Sequence, residues 1–139
     1  MGSNLYESKF ENDRRLDDQY PAEFLHERVE ISKAKRGRFF VAEKPDGGLY
    51  GWAACYVDHH EIFVKESERP YGYIAELYVE EESRGQHIGR KLIEACEHYF
   101  RSLSIGSVMI SALAANDRAV KAYRAEGFAD YSINFRKIL

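Results

Sequence analysis

LYVEEESRGQHIGRKLIEACEHYF, residues 77–100, opens on strand-like positions, passes through two glycines that bracket Gln86, His87 and Ile88, and leaves with a helical period. Ile88, Leu92, Ala95, Cys96, Tyr99 and Leu103 recur in steps of three and four, while Lys91, Glu94, Glu97 and Arg101 take the other side. The stretch therefore predicts a strand, a loop and an amphipathic helix. Such a loop presents several backbone N–H groups at a helix end carrying about half a positive charge, which suits a phosphate or pyrophosphate. Arg84 and Arg90 add charge beside it. Neither the dinucleotide fingerprint G-x-G-x-x-G nor the nucleotide loop G-x-x-x-x-G-K-[ST] is present, so the loop alone reads equally well as an ordinary turn.

Upstream, YGYIAELYVEE (residues 71–81) reads as the strand that feeds this loop. RFFVAEK (38–44) and LYGWAACYV (49–57) are β-rich runs joined by PDGG, a reversing turn, so they predict a hairpin. DHHEIFVKESERPYG between hairpin and strand is a polar connection with a short apolar piece at Ile62–Val64. Before Arg38, Leu16, Tyr20, Phe24, Leu25, Val29 and Ile31 recur at near-helical spacing, interrupted at Pro21, and predict one or two short helices. Downstream, SVMISAL (107–113) is a strand. Asn116 is a good N-cap for the helix DRAVKAYRAE, and Gly127 is placed as its C-terminal glycine. YSINFRKIL (131–139) reads as a last strand. This order predicts an α/β sandwich with a mixed sheet.

The 139 residues suit one domain with one core. Apolar residues make up 45% and charges of both signs are mixed to a net -3, which favours a globular protein and argues against a nucleic-acid partner. No apolar run has the length of a membrane span, and Met1-Gly2-Ser3 followed by charges lacks a secretory core, so a cytoplasmic protein without a membrane partner is expected. Cys55 and Cys96 lie in apolar runs and read as buried thiols, not a disulfide. His59-His60-Glu61 invites a metal reading, yet neighbours on a strand point opposite ways and no second cluster has ligand spacing, so no metal is expected.

The 77–100 stretch followed by NDRAVKAYRAEGF resembles the GNAT superfamily of acyl-CoA-dependent N-acetyltransferases. Arg84 and Gly89 fill the ends of the family's [RQ]-x-x-G-x-[GA] loop, with His87 where its middle glycine usually stands. Asn116, Ala119, Tyr123, Gly127 and Phe128 match N-x-x-A-x-x-x-Y-x-x-x-G-F. The resemblance is clear from about Arg38 to Phe128. It implies a single domain over residues 1–139, with an N-terminal helical part over 1–37 and a core carrying the acetyl-CoA site over 38–139. It also implies a mixed, mostly antiparallel central sheet with helices on both faces and two splayed parallel strands at the acetyl-CoA site.

By the same resemblance, the acetyl-CoA contacts fall on Leu77, Tyr78 and Val79 of the strand, whose backbone would polarise the thioester carbonyl. They continue on Arg84, Gly85, Gln86, His87, Ile88, Gly89 and Arg90 of the loop, and on Asn116 and Tyr123 of the following helix. If position 87 needs a positive φ, His is among the few non-glycine residues that visit it readily. Tyr123 is the candidate acid for the departing thiolate; a core aromatic is the alternative. Glu76 is the candidate base for the amine, or else an ordinary strand carboxylate. Its reference pKa of about 4.3 is low for this work, so burial beside Tyr73, Tyr78 or Trp52 would have to raise it. Strand alternation sends Ile74, Glu76 and Tyr78 to one face and Ala75, Leu77 and Val79 to the other.

The N-terminal helices and the 58–72 connection are expected to shape the acceptor pocket. Asp17, Asp18, Tyr20, Asp58, Glu61, Glu66 and Glu68 there favour a small cationic primary amine over a protein amine, or else simply solvate a loop. Family domains usually begin with a strand and often add another at the end, and neither signal is present here. Open sheet edges invite pairing, so a homodimer is expected. The alternative to an active acetyltransferase is an inactive CoA-binding sensor.

Overall fold

The fold is taken from a computed structural model that describes Glu30 and residues 33–139. The helices expected around Leu16 to Ile31 lie outside these residues; Glu30, Lys33 and Ala34 are helical. Among the described residues, four strands make one open sheet in the order β1-β2-β3-β4. They are β1 (Arg38–Glu43), β2 (Leu49–His59), β3 (Pro70–Val79) and β4 (Val108–Ile110), with helix α1 (Ile88–Ser102) between β3 and β4 and α2 (Asp117–Ala125) after β4. The first two pairings are antiparallel and β3/β4 is parallel. The sheet is thus mixed and mostly antiparallel, and α1 supplies the crossover that a parallel pair requires.

The hairpin forms where PDGG predicts it. Gly47 takes φ 94°, its amide donates to the Lys44 carbonyl (3.0 Å), and the Gly48 amide donates to Asp46 Oδ1 (2.9 Å). Alternation along β2 sends Ala53, Cys55 and Val57 into the core and Trp52 and Tyr56 to the opposite face.

Helix α1 covers the core face with Ile88, Leu92, Ile93, Cys96 and Phe100. Its buried stripe is turned from the expected one: Ile93 and Phe100 are central, while Ala95 and Tyr99 flank them half-buried. Phe100 is fully buried because β3 offers Gly72 beneath it; a Cβ there would sit 2.3 Å from the ring. Cys55 and Cys96 are free, fully buried thiols in hydrogen-bonding contact across β2 and α1. That hydrogen bond first, and burial second, push the Cys96 thiol well above its ordinary value.

Two strand expectations are corrected. The 107–113 run forms a strand only over Val108–Ile110, because β3 leaves it after the Ile74–Ile110 pair. Residues 131–139 are exposed and are not in a strand, with no ladder partner among the described residues, so the expected last strand is absent from the described sheet. An extended segment becomes a strand only when another strand satisfies its backbone.

Candidate active site

The site begins with an irregularity in β3. Ala54 lies opposite Glu76 and Cys55 opposite Ile74, so Ala75 is an extra residue, a β-bulge. The bulge reverses the side-chain order that plain alternation predicts. Ile74 joins Leu77 and Val79 on the α1 face, whereas Glu76 and Tyr78 share the opposite face with Ala54 and Trp52. Ile74 and Glu76 therefore do not share a face. The same residue bends β3 where its pairing with β4 stops, and among the described residues the β4-facing backbone of 75–79 carries no strand ladder.

A cleft opens at that fork. Ile74, Ala75, Glu76 and Leu77 line one wall, Ile110 and Ser111 the other, and Tyr123 of α2 closes it. The two sequence-predicted catalytic candidates thus border one space from different elements. Glu76 is 8% exposed, which removes it from the class of solvated strand carboxylates. Tyr73 donates from its hydroxyl to Ser111 Oγ at 3.3 Å, tying the two walls on the Glu76 side. That side is aromatic: Phe39 stacks on Trp52, Trp52 meets Tyr78, and Tyr56 meets Tyr73 edge-on. Burial holds the Tyr78 phenol above its usual value against the pull of Arg84. The acceptor-side expectations at Asp17, Asp18 and Tyr20 lie outside the described residues. Of the others, Asp58 pairs with Lys35 (3.4 Å), and Glu61, Glu66 and Glu68 are exposed.

The loop that follows β3 has the geometry that its glycines and His87 imply. Gly85 takes φ 87°, and His87 takes φ 63° and ψ 20° as the N-cap of α1, with its side chain exposed and making no cap hydrogen bond. The Lys91 amide makes the first intrahelical bond, to the His87 carbonyl (3.1 Å), so the amides of Ile88, Gly89 and Arg90 precede the helical ladder and head the helix. A Cβ on Gly89 would meet Val79 Cγ2 at 3.7 Å, ordinary contact, which fits a motif that takes Gly or Ala there. These donors suit the pyrophosphate of acetyl-CoA.

Two features of the loop's support have no local signature in the sequence. Glu80 accepts from Lys44 Nζ (2.6 Å) and from Ser83 Oγ (3.0 Å), and its amide donates to the Tyr50 carbonyl (2.8 Å), which pins the end of β3 to the hairpin. The Lys44 hydrogen bond, then that of Ser83, holds the Glu80 carboxyl below the usual range, and Glu80 raises Lys44. The carboxylate's contribution is present above its unfolded pKa and lost as pH falls through the lowered one; the Lys44 contribution is lost as pH rises through its raised one. The anchor therefore holds across the neutral range. Arg90, expected to serve the loop by its charge, pairs with Glu126 (3.2 Å) beyond the end of α2. Arg84 Nε donates to the Val79 carbonyl (3.1 Å), which folds the first motif position back onto β3.

Helix α2 starts and stops as its sequence predicts. Asn116 is 1% exposed and its Oδ1 accepts from the Ala119 amide (3.2 Å); it caps the helix and does not line the cleft. Gly127 takes φ 96°, and the Phe128 amide donates to the Tyr123 carbonyl (3.1 Å). Among the described residues, no group of three or more His, Cys, Asp or Glu side chains is arranged to hold a metal ion, and His60 stacks on Tyr71.

A family model for the acetyltransferase (GNAT) family matches residues 4–128. An IAA acetyltransferase of Azospirillum brasilense is 30% identical over 120 residues, covering 86% of this chain and 73% of that protein. Among solved structures, a tetramutant of the BH1408 protein from Bacillus halodurans superposes with a TM-score of 0.82 at 19% identity, over 99% of this chain and 87% of its own. An aminoglycoside N-acetyltransferase in complex with CoA superposes with a TM-score of 0.67 at 22% identity, over 85% and 88%. The last two likenesses concern the fold alone. Joined to the forked strands and the loop at the head of α1, the match over 4–128 means that the chain belongs to the GNAT family and is an acyl-CoA N-acetyltransferase.

Proposed function

We propose that the protein transfers the acetyl group of acetyl-CoA to the primary amine of a small cationic compound in the cytoplasm. The observation that carries this reading is the placement of Glu76 and Tyr123 on one cleft at the β3/β4 fork. The aromatic face beside Glu76 supports a cationic acceptor, since ring faces attract ammonium groups. Two reduced core cysteines accord with the compartment.

Acetyl-CoA supplies the acetyl group as a thioester. The amides at the head of α1 bind its pyrophosphate, and the open backbone of β3 near Leu77–Val79 offers an N–H to the thioester carbonyl. Glu76 takes the proton that an ammonium acceptor must lose, directly or through water. Tyr123 gives a proton to sulfur as it departs.

Calorimetric titration with acetyl-CoA, followed by thiol release across polyamine, aminoglycoside and peptide-lysine acceptors, tests the reading. Binding with turnover on the small cationic amines is expected. No binding at millimolar concentration removes it, binding without turnover marks an inactive CoA-binding domain, and turnover on peptides alone marks a protein acetyltransferase.

A primary amine with a reference pKa near 10.4 is only about one part in 10³ neutral near pH 7. Glu76→Gln should therefore lower kcat/KM at pH 7 by about a hundredfold, and the variant should regain activity as pH rises and supplies neutral amine. An unchanged pH–rate profile would make Glu76 structural. At the loop, His87→Gly should hold acetyl-CoA affinity within about threefold, because glycine accepts the φ of His87 without strain. His87→Val should weaken it about tenfold, since the left-handed region costs a non-glycine residue on the order of 1–2 kcal/mol and a β-branched one more. Equal affinity in both variants, read by calorimetry, would mean that the bound loop does not keep this conformation.

A further inference from the structure

The pyrophosphate loop grows out of a knot of chain centred on Glu80. Glu80 Oε1 accepts from Lys44 Nζ at 2.6 Å and from Ser83 Oγ at 3.0 Å, so one carboxylate oxygen joins the β1/β2 hairpin to the turn that enters the loop. That turn, Glu81–Ser83, is closed by the Ser83 amide on the Glu80 carbonyl (3.0 Å) and the Arg84 amide on the Glu81 carbonyl (3.3 Å). Arg84 then folds back through its Nε onto the Val79 carbonyl. Between this knot and the head of α1 stand Gly85, Gln86 and His87, two of them at positive φ. Where Glu80 sits therefore sets where the amides of Ile88, Gly89 and Arg90 point.

The other half of the ion pair is held as firmly. Lys44 opens the hairpin turn: its amide donates to the Gly48 carbonyl (2.7 Å) and its carbonyl accepts from the Gly47 amide (3.0 Å). Its ammonium lies 5.7 Å from the centroid of the Tyr50 ring, and the Tyr50 carbonyl accepts the Glu80 amide. β2 comes this close to the end of β3 because residue 51 is glycine. Opposite Val79, a Cβ on Gly51 would sit 2.3 Å from the Tyr78 carbonyl oxygen. An ion pair between two turns already fixed by backbone bonds is easier to hold than one between two mobile surface chains, and both side chains here are partly buried, so water screens it less.

We infer that Lys44 and Glu80 are positioning residues for the acyl donor: their ion pair holds the pyrophosphate loop in its binding shape from outside the site. A loop already shaped for its ligand loses less freedom on binding, so the pair acts on the dissociation constant of acetyl-CoA. Neither side chain lines the cleft that Glu76 and Tyr123 border, so the pair leaves the rate at saturating donor alone. The inference rests on acetyl-CoA as the donor and is independent of the acceptor.

Calorimetric titration of the full chain with acetyl-CoA is the test. Lys44→Met should raise the dissociation constant about tenfold, and Lys44→Arg, which keeps a charged donor for Glu80, should stay within about threefold of the unaltered protein. In the ligand-free chain, Lys44→Met should quicken hydrogen exchange at the amides of 85–90 while the β2/β3 ladder keeps its protection, a pattern that a general loss of stability would not give. With an accepted amine, kcat at saturating acetyl-CoA should stay within about twofold. The double variant Lys44→Met with Glu80→Gln removes the pair and both charges together, and its affinity should remain as low as that of Lys44→Met. Full recovery in the double variant would mean that Lys44 merely offsets the charge of Glu80 near an anionic ligand, and it overturns the positioning role. Unchanged affinity in Lys44→Met overturns the inference alone and leaves the acetyltransferase reading standing. Failure of the unaltered protein to bind acetyl-CoA at millimolar concentration overturns both.

Discussion

Tyr123→Phe should lower kcat by about 10²–10³-fold while acetyl-CoA affinity stays within about twofold, because general acid catalysis is worth about 10²–10⁴ and the substitution removes only the hydroxyl. The ring itself also packs at the end of α2, where it meets Phe128 edge-on at 6.2 Å and the Tyr123 carbonyl accepts the Phe128 amide. Phenylalanine keeps both contacts. A purely structural Tyr123 would leave kcat unchanged, and one that binds the cofactor would raise its dissociation constant. Only an acid at the leaving sulfur loses kcat and kcat/KM together with binding intact. Steady-state rates paired with calorimetry separate the three, and equal turnover in the variant would exclude Tyr123 from proton transfer.

The readable parts of the fold are those governed by local rules. PDGG sets the hairpin because its residues suit the turn, and Gly47 does take a positive φ. Asn116 and Gly127 bound α2 because capping chemistry acts over three or four residues. His87 was legible through the same rule, as a side chain placed where a left-handed φ is needed.

What escaped the sequence is what depends on a distant partner. Nothing around Ala75 distinguishes a bulge from an ordinary strand residue, and that one insertion moves Glu76 and Ile74 to opposite faces. Arg90 meets Glu126 across 36 positions of sequence, so no periodicity links them. The Tyr131–Phe135 pattern was legible as a strand, but whether such a segment pairs is decided by a partner strand elsewhere. Alternation records a preference for burial on one face; it carries no address.

Phe100→Ala should be the most destabilising single change in the described core, by about 3–5 kcal/mol, since the ring is fully buried and the site has little freedom to collapse. The reason lies in its slot. Gly72 leaves room for the ring only by lacking a Cβ, and Gly72 is also the first residue of β3 paired with β4, opposite Val108. Its amide donates to the Ser107 carbonyl at 2.9 Å. A void there would leave backbone on one side and α1 on the other, and backbone in a ladder cannot move in to fill it. The melting midpoint should drop by roughly 10–20 °C, taking about 3–5 °C per kcal/mol for a chain of this size. Phe100→Leu should recover most of the loss. Because Gly72–Ile74 is the whole of the parallel ladder, the alanine variant should also loosen the fork, and saturating acetyl-CoA should then return part of the lost midpoint by binding the folded form. A shift below about 3 °C would mean that α1 is held against the sheet mainly by Leu92, Ile93 and Cys96, with the ring a passenger in its slot.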